Sequence, residues 1–219
     1  ERKLKSKHTI YWLLCLVVII LGGFYMYNNH LKQPAATNKT VATTAKSKAT
    51  SSSSKSQSNM RTPIDWQKSS ETVPYPDLSK VKNLWVKVSL KGNRTYLYDG
   101  SKLIYTMYSS GGVYQKDAKT GKMKSTTPTG TFYVQAERGD SFYNQELGEG
   151  ANYYVSWLNH GEYLFHSVPT KADGSYNLRE AAKLGKSTGS HGCIRLSVPD
   201  AKWMEQNLPE GTKVVIADN

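Results

Sequence analysis
Once the chain passes Val81, apolar side chains recur at every second position. Leu84, Val86, Val88 and Leu90 alternate with Trp85, Lys87, Ser89 and Lys91, the pattern of a strand with one buried face. Lys91-Gly92-Asn93-Arg94 and Asp99-Gly100 are hairpin chemistry, because Gly and Asn tolerate the positive φ of tight turns. They predict a meander through Thr95–Tyr98 and Leu103–Tyr108. Further strands are predicted over Thr129–Ala136, Asn152–Leu158, Glu162–Val168 and Thr212–Ala217, with Asn159-His160-Gly161 as a tight connection. The polar, Lys- and Gly-rich stretch from Gly111 to Thr127 reads as a loop. Leu178–Leu184, closed by Gly185, is a short helix. Val198–Leu208 is another, opened by Ser197 with Pro199 and Asp200 in its first turn. Residues 81–219 are therefore expected to form one mostly β domain with one or two short helices.

The residues before it belong to a different class. Arg2, Lys3, Lys5 and Lys7 precede Ile10–Tyr27, eighteen residues without a charge. As a helix that run spans about 27 Å, one bilayer core, and its aromatics lie near the two ends, where rings favour the interface. The expectation is a cytoplasmic basic segment at 1–8 and a transmembrane signal anchor at 9–28, with the rest exported. A cleaved signal peptide is the alternative, but Tyr25-Met26-Tyr27-Asn28-Asn29 offers no small-residue cleavage site. Residues 29–80, rich in Ser, Thr, Lys and Ala, are expected to be a disordered linker, because they hold too little apolar surface to offset ordering entropy. Within them, Thr62 to Pro76 carries three prolines and Trp66 and reads as an extended lead-in packed loosely on the domain.

Charge narrows the partners. Residues 1–80 carry 12 Lys/Arg against 4 Asp/Glu, whereas residues 81–219 carry 17 against 13. The folded part is only mildly basic, which argues against a dedicated nucleic-acid surface. A basic tether suits a polyanionic wall or membrane face, or serves solubility alone. No glycine loop cradles a phosphate. The two cysteines, Cys15 and Cys193, are separated by the membrane span and the linker, so no disulfide between them is expected.

A thiol kept on the outer side of a cell is a liability unless it is used. Cys193 sits in Ser187-Thr188-Gly189-Ser190-His191-Gly192-Cys193-Ile194-Arg195-Leu196, and a thiol becomes a nucleophile when a base takes its proton. The candidate bases are His160, His166 and His191. His191 is two residues from the thiol. His166 shares a strand face with Leu164 and Val168, and position alone favours a hydrogen-bonded structural histidine there. His160 belongs to a solvated turn. Gly192 lets backbone approach a substrate, and the amides of Gly192 and Cys193 are candidate oxyanion donors. His166, His191 and Cys193 also allow a zinc reading, though a fourth ligand is not evident.

Ser190-His191-Gly192-Cys193-Ile194-Arg195 resembles the signature of the L,D-transpeptidase catalytic domain, also called the YkuD domain. The upstream Tyr163-Leu164-Phe165-His166-Ser167, the Thr127-Pro128-Thr129-Gly130-Thr131-Phe132 stretch and the Thr95–Gly111 meander agree with it, over about residues 82–217. The resemblance implies a β-sandwich that acts on peptidoglycan stem peptides without a cofactor or metal. By it, Cys193 is the nucleophile that attacks the carbonyl at stem position three and expels the terminal D-alanine. The thioester then passes to an acceptor amine. His166 matches the base, Ser167 the residue whose carbonyl orients it, Ser190 and His191 supporting positions, and Arg195 a position near bound substrate. The stretch between His166 and Cys193 is longer than the pattern leads one to expect and reads as a lid. An L,D-carboxypeptidase using water as acceptor, and a non-catalytic wall-binding domain, are the alternatives.

Overall fold
The structure, a computed structural model, describes residues 59–219. The expected anchor at 9–28 and most of the linker lie outside them. Among the described residues no helix is long and apolar enough to cross a membrane.

Eleven strands form the domain. They are β1 (Leu84–Ser89), β2 (Arg94–Asp99), β3 (Lys102–Ser110), β4 (Tyr114–Lys116), β5 (Met123–Ser125), β6 (Gly130–Tyr133), β7 (Arg138–Asn144), β8 (Glu149–Leu158), β9 (Tyr163–Ser167), β10 (Ile194–Leu196) and β11 (Lys213–Ala217). Two α-helices, α1 (Leu178–Ala181) and α2 (Val198–Asn207), and a single 3-10 turn at Leu78–Lys80 complete it. Nine strands make one sheet in the order β6-β11-β1-β2-β3-β10-β9-β8-β7. The sheet curls back on itself through the chain between β6 and β7. There Val134 N–H donates to Thr212 O on one side, and Gln135 N–H donates to Ser156 O on the other. The β-rich class expected from the alternation is what the chain adopts.

The alternation sets the core. Val86 and Val88 of β1, Leu97 of β2, Phe165 of β9 and Ile194 and Leu196 of β10 are fully buried, one face of each strand turned inward. Helix α2 covers the β8–β9 side with Ala201 and Met204 and is followed by the buried Leu208, the three- and four-residue spacing of one helical stripe. Its start is as the sequence indicates, with Ser197 Oγ accepting from Asp200 N–H at 3.2 Å.

Three expectations are corrected. The stretch 111–127 is not all loop: β4 and β5 pair as an antiparallel hairpin, Tyr114 opposite Ser125. Strand β7 was not predicted, because Arg138–Asn144 is mostly polar and exposed; its pairing with β8 makes it a strand, not a pattern of its own. The linker boundary at residue 80 also moves. Residues 59–80 form a strap on the domain. The lead-in expected at 62–76 is thus present, but longer and more firmly fastened than a loose packing, and the expected disordered linker does not extend to residue 80. Met60 bridges Glu71, Arg61 N–H donates to Ser70 O at 2.7 Å, and Tyr75 stacks on Trp203 with centroids 5.1 Å apart.

The strap holds by polar groups that no hydrophobic pattern reveals. Glu71 Oε1 accepts from Thr106 N–H at 2.8 Å and Ser70 Oγ from Tyr108 N–H at 2.7 Å. These are backbone donors of β3 beyond the short β10 pairing, so the strap occupies an otherwise open sheet edge. Ser70 Oγ also donates to Asp200 Oδ2 at 2.5 Å, and Tyr75 OH to Asp200 Oδ1 at 2.7 Å. Burial raises the Asp200 carboxyl above the usual carboxylate range, against the opposing pull of its bonds from Ser70, Tyr75 and Ser197.

Replacing Ser70 by alanine leaves Tyr108 N–H without its acceptor and Asp200 without one donor. The unfolding free energy in urea is expected to fall by about 2 kcal/mol. A change within about 0.5 kcal/mol would mean the strap is not fastened through this hydroxyl.

Candidate active site
β9 and β10 run parallel, with Phe165 opposite Ile194, His166 opposite Arg195 and Ser167 opposite Leu196. Partners across a sheet project to the same side, and residues two apart on a strand share a face. Phe165, Ile194 and Leu196 therefore enter the core, while His166 and Arg195 face the other way. Cys193, one residue ahead of β10, joins them there. Cys193 and His166 line one cleft of about 560 Å³, together with Phe142, Tyr154, Tyr163 and His191. The two residues singled out by sequence are thus brought together, although 27 positions apart.

The imidazole is held firmly. His166 is 3 % exposed. Its Nδ1 lies 2.7 Å from Ser167 O, and since a carbonyl only accepts, Nδ1 carries the proton and Nε2 the lone pair. Phe142 meets the ring edge-on, centroids 5.5 Å apart. Ser167 is held in turn, its Oγ accepting from Asn152 N–H at 3.0 Å and donating to Val168 O at 2.8 Å.

The thiol bonds to backbone rather than to the imidazole. Leu164 N–H donates to Cys193 Sγ at 3.3 Å, and Sγ donates to Glu162 O at 3.6 Å. Burial pushes the thiol up to about 11, against the Leu164 amide and the Arg195 charge, which favour the thiolate. Burial, and then the Arg195 charge, lowers His166 to about 3, against the bond to Ser167. Both shifts favour the neutral forms, a thiol beside an imidazole, over a preformed thiolate–imidazolium pair.

The turn ahead of the thiol is built by Ser190 and Thr127. Ser190 Oγ donates to Cys193 O at 2.5 Å and accepts from Gly192 N–H at 3.1 Å. Thr127 Oγ1 donates to Gly192 O and accepts from Gly112 N–H, both at 2.8 Å. Position 192 must be glycine. Its φ is +153°, and a Cβ there would lie 2.7 Å from the Tyr163 ring and 3.2 Å from Thr126 O. The oxyanion expectation is corrected at Gly192, because its amide is already bonded to Ser190 within the turn.

Arg195 also departs from expectation. It is 2 % exposed and lies beneath the cleft instead of in it. Its Nη2 donates to both Glu149 oxygens at 2.6 and 2.7 Å, and its Nη1 donates to Glu180 Oε2 at 2.9 Å. Lys183 Nζ reaches both Glu180 oxygens at 2.8 and 2.9 Å. Burial alone would raise the Glu180 carboxyl, but the bonds from Lys183 and Arg195 outweigh it and hold it below its ordinary value. Neither Glu149 nor Glu180 carries a sequence signal, and their long-range pairing with Arg195 was not foreseen. His191 is exposed on the cleft rim. His160 pairs with Glu137 at 2.8 Å at the cleft's far end. Among the described residues no three His, Cys, Asp or Glu side chains gather as metal ligands, so the alternative zinc set of His166, His191 and Cys193 is not assembled.

Over 158 residues the chain is 51 % identical to a protein of Bacillus subtilis (strain 168) named "Putative L,D-transpeptidase YciB", covering 72 % of this chain and 76 % of that one. A solved Clostridium acetobutylicum ATCC 824 structure, a fused Zn-dependent amidase/peptidase/peptidoglycan-binding protein, is 31 % identical with a TM-score of 0.44, covering 62 % of this chain. An L,D-transpeptidase structure from Mycobacterium smegmatis is 18 % identical with a TM-score of 0.45, also over 62 % of this chain. The chain spans 52 % and 58 % of the lengths of those two solved chains. Residues 83–216, which include the cleft, both site strands and Cys193, match the family model described as the L,D-transpeptidase catalytic domain. With that match and the 51 % identical relative, the chain belongs to the YkuD family of L,D-transpeptidase catalytic domains.

Proposed function
We propose that Cys193 is the nucleophile and His166 the base of a transpeptidation on peptidoglycan stem peptides. The observation that carries this reading is their shared face across β9 and β10, with His166 Nδ1 bonded to Ser167 O and the Nε2 lone pair available. In the acylation step Sγ forms a bond to the carbonyl carbon of stem residue three. The thiol proton turns away from Glu162 O and passes to Nε2. The C–N bond to the terminal D-alanine breaks, and Nε2 returns the proton to the leaving amine. A thioester remains. An acceptor amine then attacks it, His166 takes up the amine's proton, and the thiolate leaves and is reprotonated.

A neutral pair lining the cleft suits this order of events. Charge develops only when substrate has filled the cleft and excluded water, so the thiolate exists while it is being consumed. No nucleotide is required, because the D-alanine peptide bond supplies the acyl group and the thioester retains it. The same reading has the domain outside the cytoplasmic membrane, tethered through residues 9–28. Its support is the uncharged run behind a basic flank.

Two outcomes test the reading. Cys193→Ala abolishes release of D-alanine from a stem tetrapeptide with the fold retained, and His166→Ala slows acyl-enzyme formation by about a hundredfold or more; both are read by mass spectrometry of peptide and protein. Retained cross-linking in Cys193→Ala would remove the nucleophile assignment. The second test concerns pH. A thiol raised to about 11 exposes little thiolate at neutrality, so alkylation by iodoacetamide, mapped at Cys193 in the free chain, is expected to climb about tenfold per unit towards pH ~10. A fast, level rate between about pH 6 and 8 would reveal a thiolate–imidazolium pair and overturn the neutral resting state.

A further inference from the structure
The cleft does not end at His191. Beyond that side chain a polar notch of about 290 Å³ opens, sharing Leu147, Glu149 and His191 with the cleft. Its outer wall is the long connection between β9 and β10, through Lys171, Asn177, Arg179 and Lys183. That connection is a built rim. Thr170 exchanges backbone hydrogen bonds with Gly150 at 2.7 and 3.1 Å, Asn177 N–H donates to Pro169 O at 2.8 Å, and Glu180 is tied to Arg195.

The charges of the notch do not cancel. Its two carboxylates, Glu149 and Glu180, are matched by Arg195 beneath them and by Lys183. Lys171 and Arg179 are the two further cations, Lys171 opposed by the charge of Asp173 and Arg179 by a third share of Glu180. Arg179 is exposed, and its Nε stands 3.8 Å from Glu180 Oε1, too far for a hydrogen bond. Asp173, in the Lys171 turn, accepts from Ser175 through Oδ1 and does not line the notch. The notch thus offers two cations of long reach, Lys171 opposed only by Asp173 outside the notch and Arg179 only by a 3.8 Å ion pair to a Glu180 that Lys183 and Arg195 already hold.

We infer that this notch is a carboxylate subsite, in which Lys171 and Arg179 bind a free carboxylate of the stem peptide while its third carbonyl lies at Cys193. The inference rests on the transpeptidase reading of that cleft. A guanidinium fork and an ammonium suit a carboxylate, and a tetrapeptide can present one from two places. One is the terminal D-residue; the other is the side chain of residue three, where that residue is a diamino acid with a second carboxyl. Either would make Lys171 and Arg179 specificity-determining residues that never touch the reacting atoms.

The test is peptide binding to the full chain carrying Cys193→Ala, followed by NMR titration. Three tetrapeptides are compared: one with every carboxylate free, one amidated at its terminus and one amidated on the side chain of residue three. One of the two amides is expected to bind about tenfold more weakly than the free acid, the scale of a single charge-assisted hydrogen bond. Which amide does so identifies the source. Adding Lys171→Ala and Arg179→Ala is expected to bring that ratio to about one, whereas Lys171→Arg with Arg179→Lys keeps it. The inference is overturned if neither amide matters, if no peptide binds, or if the ratio survives the double alanine variant. D-alanine release by the parent chain is scored separately. Carboxylate-dependent binding without turnover would reject the reaction and keep the subsite, and turnover with a ratio near one would reject the subsite alone.

Discussion
The cluster around Arg195 is the interaction on which the site depends. A guanidinium 2 % exposed to solvent is tolerable only if its charge is met, and Glu149 and Glu180 meet it at 2.6 to 2.9 Å. The three residues come from β10, which follows Cys193, from the start of β8 and from α1. One buried charge therefore fixes the relative positions of three elements that frame the cleft. Such clusters add little net stability compared with apolar packing, but losing one partner strands the others and costs about 3–5 kcal/mol. Arg195 Nε is buried without a partner, a further cost that the cluster carries.

The same charge acts on the chemistry. Arg195 is opposite His166 in register and two residues from Cys193, and its field lowers the proton affinity of both. For the thiol that favours reaction; for the imidazole it opposes protonation. The carboxylates of Glu149 and Glu180 moderate the field. A bare Arg195 would make His166 a still weaker base, while a neutral residue would leave the Leu164 amide alone to oppose burial at the thiol. The neutral resting pair is the balance struck between burial and this partly screened cation.

What the sequence discloses depends on how far apart the determining residues lie. The alternation of β1 and the cap and stripe of α2 are written in neighbouring residues and are found where local chemistry puts them, whereas His166, read alone, is a structural histidine and joins Cys193 only through the family resemblance. β7 is polar, and the β4–β5 hairpin is Lys-rich; both are strands because of what they pair with. The strap is harder still. Ser69-Ser70-Glu71-Thr72 looks like linker by composition, and its hydroxyl and carboxylate find their partners on β3, about 35 residues on, and on Asp200, 130 residues on. Arg195 reads as a surface charge until Glu180, 15 residues away, and Glu149, 46 away, are brought to it. The Gly192 amide looks free until Ser190 Oγ is found on it.

Topology accounts for the long connection between the two site residues. Parallel neighbours cannot be joined by a hairpin, so β9 and β10 require a crossover. In this chain that crossover carries α1, and with it Glu180, which fastens the crossover to the strand it has just supplied. Its inner side is thereby constrained by the buried cation, while on its outer side, among the described residues, Lys171 Nζ and the exposed Arg179 guanidinium make no side-chain hydrogen bond that holds the crossover in place. A rim built this way can change its charge without moving Cys193 or His166. It is the part of the fold where substrate preference can vary while the reaction stays the same.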